Sequence, residues 1–503
     1  MTTTESMSYD VLVVGAGPGG LATAVSAARH GARVLVVERH TGTSPIPRAT
    51  GVSTRTMEIF RTWGIAKAVR AGSVDVGFKA AAGPTLTDPA LAPLPTAFPS
   101  PRQALAYSPA LPACCPQDHI EPLLVEQVRR YGGAVRFGTE LTGLHTDSHG
   151  VRAALTDRAT GAVRAVRAEY VVGADGPRST VRDALAIGLE HLGTLGEFIQ
   201  VLFRADLHQV LGVPLHPIYF LSHPDAEGVF LPVGRDRWGY AVQWHAERGQ
   251  SPADFTGARW TELLRIATGI GDLRPDIIGW LPFTMAAAVA TAYRAGRGFL
   301  VGDAAHRMTP AGGVGMNTAI HDGHNLGWKL AWVVRGLADG GLLDSYEEER
   351  QPVGLRNALR SLNLGGIDPA DGLPGDLGTL YRSAVIAGDD MRRPGYEDPS
   401  SATAAAGERA PHLWISCHGR HRSTVDLFDG RLTLIVGSSG DGWRSAAVDT
   451  TDTGLPMVAL TAGREIADPR GRVAATYRLG ESRPDGALRL RHLAGRAHPG
   501  RGL

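Results

Sequence analysis

The chain has 503 residues, 43% of them hydrophobic, enough for two to four domains of roughly 100–200 residues, each with its own core. Its 51 basic and 50 acidic side chains nearly cancel, so neither nucleic acid nor an anionic membrane has a long-range electrostatic reason to bind. The three cysteines, Cys114, Cys115 and Cys417, show no metal-ligand spacing and no disulfide framework. Residues 1–8 are polar and lack the apolar core of a signal peptide, and no apolar run reaches the roughly 18 residues of a membrane span, so a cytoplasmic enzyme is expected.

In chain order, residues 9–14 end in a continuous apolar run and read as a strand buried on both faces, as in a parallel sheet. An Ala-rich helix over 21–30 stops at Gly31, and a second buried strand over 33–37 closes at Glu38, completing a βαβ unit. The proline-rich stretch 84–116 has no period and reads as a long loop or lid. A helix over 121–131 precedes a short strand at 134–137, a hairpin over 151–169 and a buried strand over 170–176 that ends in a tight turn. From about 188 to 280 the pattern alternates, with strands at 198–205, 218–222, 228–231 and 238–244, which predicts an antiparallel sheet. Residues 298–303 return to the parallel style, and a long helix follows over about 315–337. A Ser-, Ala- and Thr-rich linker at 399–407 leads to a tail with one clear strand, 432–436, and the Gly-rich turn 437–442. The tail reads as a small α/β unit, and there are no internal repeats.

Two glycine-rich turns carry the chemistry. Gly15, Gly17 and Gly20 fit G-x-G-x-x-G between a strand and a helix, with Pro18 inside the turn. The first glycine permits the turn, the second lets backbone N–H groups reach a pyrophosphate, and the third allows close helix–strand packing. Glu38 stands where a carboxylate accepts from a ribose hydroxyl. This motif alone leaves FAD and NAD undecided. The second turn, residues 302–317, places Asp303 at a strand end, where an acid can bind polyol hydroxyls. Its glycine-rich segment opens the long helix, offering N–H donors and the positive end of a helix dipole to an anionic ring. A ligand with a phosphate at one end and an anionic ring at the other, such as reduced flavin, uses both.

With residues 173–182, Gly-Ala-Asp-Gly-Pro-Arg-Ser-Thr-Val-Arg, these turns resemble the three motifs of the group A, single-component FAD-dependent aromatic hydroxylases of the polyketide-tailoring type. The resemblance covers about residues 9–365 strongly and the tail weakly. It implies an α/β fold: a Rossmann-like FAD-binding domain of the glutathione-reductase type, an inserted antiparallel-sheet substrate domain, and a C-terminal thioredoxin-like α/β domain. The expected division is 1–80, 101–187 and 285–397 for the FAD domain, 81–100 and 188–284 for the substrate domain, and 398–503 for the tail. In the tail, residues 410–412 and 423–428 are similar to the family's opening. Residues 483–486, Arg-Pro-Asp-Gly, are similar to its closing strand, but Ala487-Leu488-Arg489 stands where a Trp would be expected, and 495–503 is Gly-rich and basic. Without a C-x-x-C, the tail is not expected to be redox-active.

The resemblance also implies roles. Glu38 and Arg39 would hold the adenosine ribose, and Arg48 and Gln117 would touch the cofactor. Asp175 lies in a motif linked to FAD and NAD(P)H, and Asp303 would bind the ribityl chain. Pro310, Gly312, Gly315, Met316 and Asn317 would face the flavin ring. His306 fits a structural part better than a catalytic one. Arg178 and Arg182 read equally as a solvated face or as cofactor contacts. Tyr219, Leu221, Trp238 and Tyr240 are the substrate-wall candidates, with plain core as the alternative. No catalytic base is assigned. The implied reaction is hydroxylation of an aromatic or polyketide-like small molecule through a flavin C4a-hydroperoxide, with FAD as cofactor, NADPH or NADH as co-substrate, and O2. Baeyer–Villiger insertion or epoxidation on the same scaffold, and a non-catalytic flavoprotein that shields an intermediate, are the alternatives. A flavin halogenase is disfavoured because W-x-W-x-I-P is absent. Neither nucleic acid nor membrane is an expected partner, and a homodimer is left open.

Overall fold

The computed structural model describes residues 7–96, 99–212, 214–363, 372–386, 395–451 and 454–479 of the chain. Its first sheet runs in the order Arg294–Ala295, Gly298–Leu300, Val163–Gly173, Met7–Val14, Val34–Val37, Ala134–Arg136. The last five of these strands are parallel. Where they pair in parallel, residues 11–14, 34–37, 170–173 and 298–300 are continuously buried, as parallel strands covered on both faces are. Val163–Gly173 serves two partners. Its first half alternates between exposed and buried residues and pairs antiparallel with Gly150–Asp157, itself paired with Thr139–Asp147. Its second half is continuously buried and pairs parallel with Met7–Val14. The expected hairpin at 151–169 and the expected strand at 170–176 are therefore joined by one unbroken strand.

Two helices cover one face of this sheet, Pro18–Arg29 and Gly315–Val334, and they cross in backbone contact. At Gly323 a Cβ would press against the Thr23 N–H and, at 2.8 Å, the Ala22 side chain. Only glycine admits that approach.

The second sheet has the order His306–Arg307, Asp276–Ala290, Leu189–Arg204, Arg237–Trp244, Gly228–Pro232, Tyr219–Leu221, Ala80–Gly83, Ala92–Leu94. It is antiparallel except where Tyr219–Leu221 meets Ala80–Gly83 in parallel. The long strand Asp276–Ala290 runs through residue 284, so the chain returns towards the first sheet along a strand rather than through a loop. Helix Gly257–Thr268 packs on one face and buries Trp260 and Leu264 against Ile199, Val201, Phe203, Phe230, Trp238 and Tyr240.

The stretch 84–116 is more ordered than a lid. Besides Ala92–Leu94 it holds helix Pro101–Tyr107, started by a capping box in which Ser100 and Gln103 exchange hydrogen bonds. Ser100-Pro101-Arg102-Gln103 was the readable signal, with proline at the first helical position; the flanking prolines hid it. Ala113–Cys114 then pairs with Gly51–Val52.

The C-terminal unit holds strands Trp414–Cys417, Arg420–Ser423 and Ile466–Ala467, and a parallel pair, Leu432–Val436 with Met457–Thr461. Its core is Ile415, Cys417, Leu427, Leu460, Ile466 and Val473. The segments 483–489 and 495–503 lie outside the described residues. Among the described residues, no helix is long and apolar enough to cross a membrane.

Candidate active site

The first glycine turn closes on the strand beside it. A Cβ on Gly20 would collide with the Gly15 carbonyl and stand 2.8 Å from the Ala174 Cβ, so this glycine is fixed by packing. Gly17 differs: a Cβ there would meet nothing within 4 Å, so the turn is open on the side from which a phosphate approaches. Pro18 takes the first helical position, where no N–H is missed. Beside it, a Cβ on Gly19 would stand 3.3 Å from the Ala319 Cβ, in the first turn and a half of helix Gly315–Val334. The positive ends of both helices thus open on one cleft.

Glu38 Oε2 accepts from the Ala16 N–H at 2.9 Å, and its Oε1 accepts from the His40 N–H at 3.0 Å. The carboxylate fastens the end of the second strand to the glycine turn and stands at its mouth. Arg48 and Gln117 are brought together by backbone pairing: Cys115 N donates to Thr50 O at 2.7 Å and Gln117 N to Ala49 O at 3.0 Å. Gln117 Nε2 donates to Glu121 Oε1 at 2.7 Å, and Glu121 Oε2 accepts from the Ser44 N–H. Burial raises the Glu121 carboxyl, with the Glu38 charge adding to the effect and Arg48 opposing it. Glu38, Arg48, Gln117 and Glu121 therefore share one end of the cleft. Arg39 and Arg48 themselves are exposed.

Asp303 is exposed in the turn Gly302–Ala304, and its carboxylate forms no hydrogen bond among the described residues. Asp175 is different. Its Oδ1 accepts from Ser179 Oγ at 2.5 Å and its Oδ2 from the Val181 N–H at 3.1 Å, and burial raises its pKa. Both oxygens hold the turn of the motif in which Asp175 lies. Arg182, equally open as a solvated residue or a cofactor contact, is buried: it donates to Ala304 O at 3.2 Å and Pro177 O at 3.1 Å, tying the second motif to the third. Arg178 is exposed.

After exposed Pro310, Gly312 and Gly313 are left-handed at φ 79° and 63°, turning the chain into the helix at Gly315. Met316 is buried. The Asn317 amide is saturated: Nδ2 donates to Gly51 O and Gly313 O, and Oδ1 accepts from the Ser53 N–H and Thr56 Oγ1. The side chain is thus occupied within the fold. An open glycine at the phosphate end, two convergent helix N-termini and the unpaired Asp303 fit FAD.

Beneath this loop lies a cluster that the sequence reading did not assemble. Asp322 Oδ1 accepts from Arg350 Nε at 2.8 Å, its Oδ2 accepts from the Gly302 N–H at 3.2 Å, and Arg350 Nη2 donates to Thr318 O. His306 packs against Asp322, which supports its structural role. A lone acid inside an apolar helix was the signal for Asp322.

The substrate-wall candidates need correction. Tyr219, Leu221, Trp238 and Tyr240 lie in the core under helix Gly257–Thr268, and the Tyr240 hydroxyl donates to Ala226 O at 2.6 Å. The opposite face of the same sheet is half-exposed. It presents Phe198 and Gln200, with Leu202 fully buried at its edge; their cross-strand partners are Phe283, Leu281 and Gly279 on one side and Gln243, Ala241 and buried Gly239 on the other. Phe198 and Phe283 stack with centroids 5.8 Å apart. One end of this face meets the Arg48–Gln117 side of the cleft: a Cβ on Gly279 would lie 3.6 Å from Ile46 Cδ1, and Arg237 Nη1 pairs with Asp118 at 2.6 Å. Near the other end, Arg307, three residues before Pro310, donates to Thr284 O at 2.7 Å. A cavity of about 500 Å³ lined by Arg29, Trp332, Arg335 and Arg431 opens at the opposite, C-terminal end of helix Pro18–Arg29 and is not part of this site.

Fold and cleft together define a flavoprotein with an inserted antiparallel sheet. The chain is 38% identical to aklavinone 12-hydroxylase of Streptomyces purpurascens, over 96% of this chain and 95% of that one. It is 37% identical to tetracenomycin B2 monooxygenase-dioxygenase of Streptomyces olivaceus, over 97% and 96%. A crystal structure of aklavinone-11 hydroxylase with FAD and aklavinone superposes with a TM-score of 0.85 at 37% identity, covering 97% of this chain and 95% of that one. The chain belongs to the FAD binding domain family, whose profile matches residues 8–361, and it is an FAD-dependent monooxygenase that uses a reduced nicotinamide and O2.

Proposed function

We propose that this enzyme hydroxylates a multi-ring aromatic polyketide lying on the sheet face that carries Phe198, Leu281 and Phe283. The observation that carries this reading is the position of that face, with Ile46 and Asp118 at one end and Arg307 near the other. Bound FAD supplies the transfer of electrons from the nicotinamide to O2. The chain's own residues do the rest. Gly17, the two helix N-termini and Glu38 hold the adenosine diphosphate part, together with Arg39, Arg48 and Gln117. Asp303 takes the ribityl hydroxyls, and backbone from Pro310 to Asn317 meets the ring. The stacked phenylalanines orient a flat substrate and keep water from the reacting atoms. The eleven facing residues Phe198, Gln200, Leu202, Val229, Leu231, Gly239, Ala241, Gln243, Gly279, Leu281 and Phe283 include no carboxylate or imidazole.

The domain division at 80, 100, 187, 284 and 397 is proposed on related grounds, since each of the two large sheets has its own core.

The test is to mix the FAD-loaded protein with NADPH or NADH and a panel of phenolic polyketides. Stimulated nicotinamide oxidation with a product one oxygen atom heavier supports hydroxylation. A product of ring expansion or an epoxide assigns the alternative oxygen insertions. Bound FAD that no nicotinamide reduces with any compound removes the reading in favour of a shielding flavoprotein.

A further inference from the structure

We propose that Gln200 determines specificity by donating a hydrogen bond from its carboxamide to a ring carbonyl of the substrate, an inference that rests on the aromatic-substrate reading above. Gln200 lies on the central strand of the second sheet, between Ala241 and Leu281, in the middle of the apolar face. Its amide leans over Gly239, where a Cβ would stand 3.0 Å from Gln200 Nε2. Glycine at 239 therefore makes the room this amide occupies. Half-buried Gln200 forms no side-chain hydrogen bond among the described residues. The same is true of Gln243, a second amide at the rim, cross-strand from Phe198.

An amide on an open apolar face is satisfied by water. A flat ring system covering Phe198, Leu281 and Phe283 displaces that water, and the amide then needs a partner on the ring. A ring carbonyl above Gln200 restores the bond. A ring without oxygen there leaves a buried donor unpaired, and the face rejects it. A polar group in an apolar pocket discriminates this way, whereas apolar contact alone hardly does. The position of that carbonyl then fixes which ring carbon faces the flavin.

Two probes isolate the effect: anthraquinone-2-sulfonate and anthracene-2-sulfonate, which share a sulfonate and three fused rings and differ in the two ring carbonyls. Binding to the FAD-loaded protein is read from perturbation of the flavin absorbance, with FAD content and melting temperature reporting folding separately. The wild type is expected to prefer the quinone. Gln200→Leu is expected to bind the quinone roughly 3–10-fold more weakly and the anthracene no more weakly, erasing the preference. Gln200→Glu keeps the shape, loses the donor, and is expected to lose the quinone as well; it serves if the leucine variant fails to load FAD. A Gln200→Leu protein that keeps the wild-type preference, in an enzyme that still hydroxylates aromatic compounds, overturns the role of the amide alone. A wild type that binds neither probe, and whose nicotinamide oxidation no aromatic compound stimulates, overturns the aromatic-substrate reading and this inference with it.

Discussion

His306 Nε2 lies 2.6 Å from Asp322 Oδ2, and neither side chain reaches solvent. Burial alone would raise the Asp322 carboxyl, but Arg350 and His306 outweigh it and hold the group below its usual range. The strand-end turn that carries Asp303 therefore hangs from a buried ion cluster. Asp322→Ala strands Arg350 without its partner and is expected to cost about 3–5 kcal/mol in urea unfolding. His306→Gln is expected to lower stability while turnover per bound FAD falls less than about tenfold. A general base would lose about 100-fold or more.

Two glycines of one turn should behave differently. Gly17 is extended at φ −77° with empty space beside it, so Gly17→Val is expected to leave apo-protein stability within about 0.5 kcal/mol and to weaken FAD binding more than about tenfold. Gly20→Ala overpacks the turn and is expected to cost about 1–3 kcal/mol before any cofactor is added. Melting curves with and without FAD separate the two.

Asp303 supports no part of the apo-fold that its hydrogen bonds reveal. Asp303→Ala is expected to leave the melting temperature of the apo-protein unchanged and to weaken FAD binding about 10–100-fold, the loss of a charged hydrogen bond. Fluorescence titration of the flavin measures it.

Glu58 is fully buried and takes three partners: Arg409 from the C-terminal segment, Arg55, and the Ser108 hydroxyl at 2.6 Å. Burial pushes its carboxyl up, but the two arginines and Ser108 more than reverse this, bringing it from 4.5 to about 2. A carboxyl lowered on folding contributes stability that is complete above about pH 4.5 and is lost as pH falls towards 2, on the order of 3 kcal/mol in all. Melting temperature between pH 6 and pH 3 is expected to drop steeply in the wild type. In Arg409→Ala it starts lower and the acid dependence is shallower.

Trp238 was a substrate candidate and is a core residue. Trp238→Ala is expected to cost about 3–5 kcal/mol while the substrate KM of the folded fraction stays within about threefold.

The cofactor turns were legible because each is local: Gly15 to Gly20 and Pro310 to Asn317 stand beside the strand end and helix start they serve. The ion pairs were not. Glu58 and Arg409, or Asp322 and Arg350, meet only through the fold, and nothing local marks the partner. The substrate face shows a different limit. A period of two tells which residues share a face, and Trp238 with Tyr240 obeyed it. Which face is covered depends on where helix Gly257–Thr268 lands, and the pattern of the strand carries no record of that.

The crossing of helices Pro18–Arg29 and Gly315–Val334 has a consequence for the order of events in the cell. The phosphate turn emerges from the ribosome some three hundred residues before the helix packed against it and the ring-facing turn that begins that helix. A nascent chain that ends before Gly315 holds half a cradle. Loading of the cofactor is thus a late step of synthesis, and the long interval before it is when the uncovered face of the first helix is most open to chaperones and to aggregation.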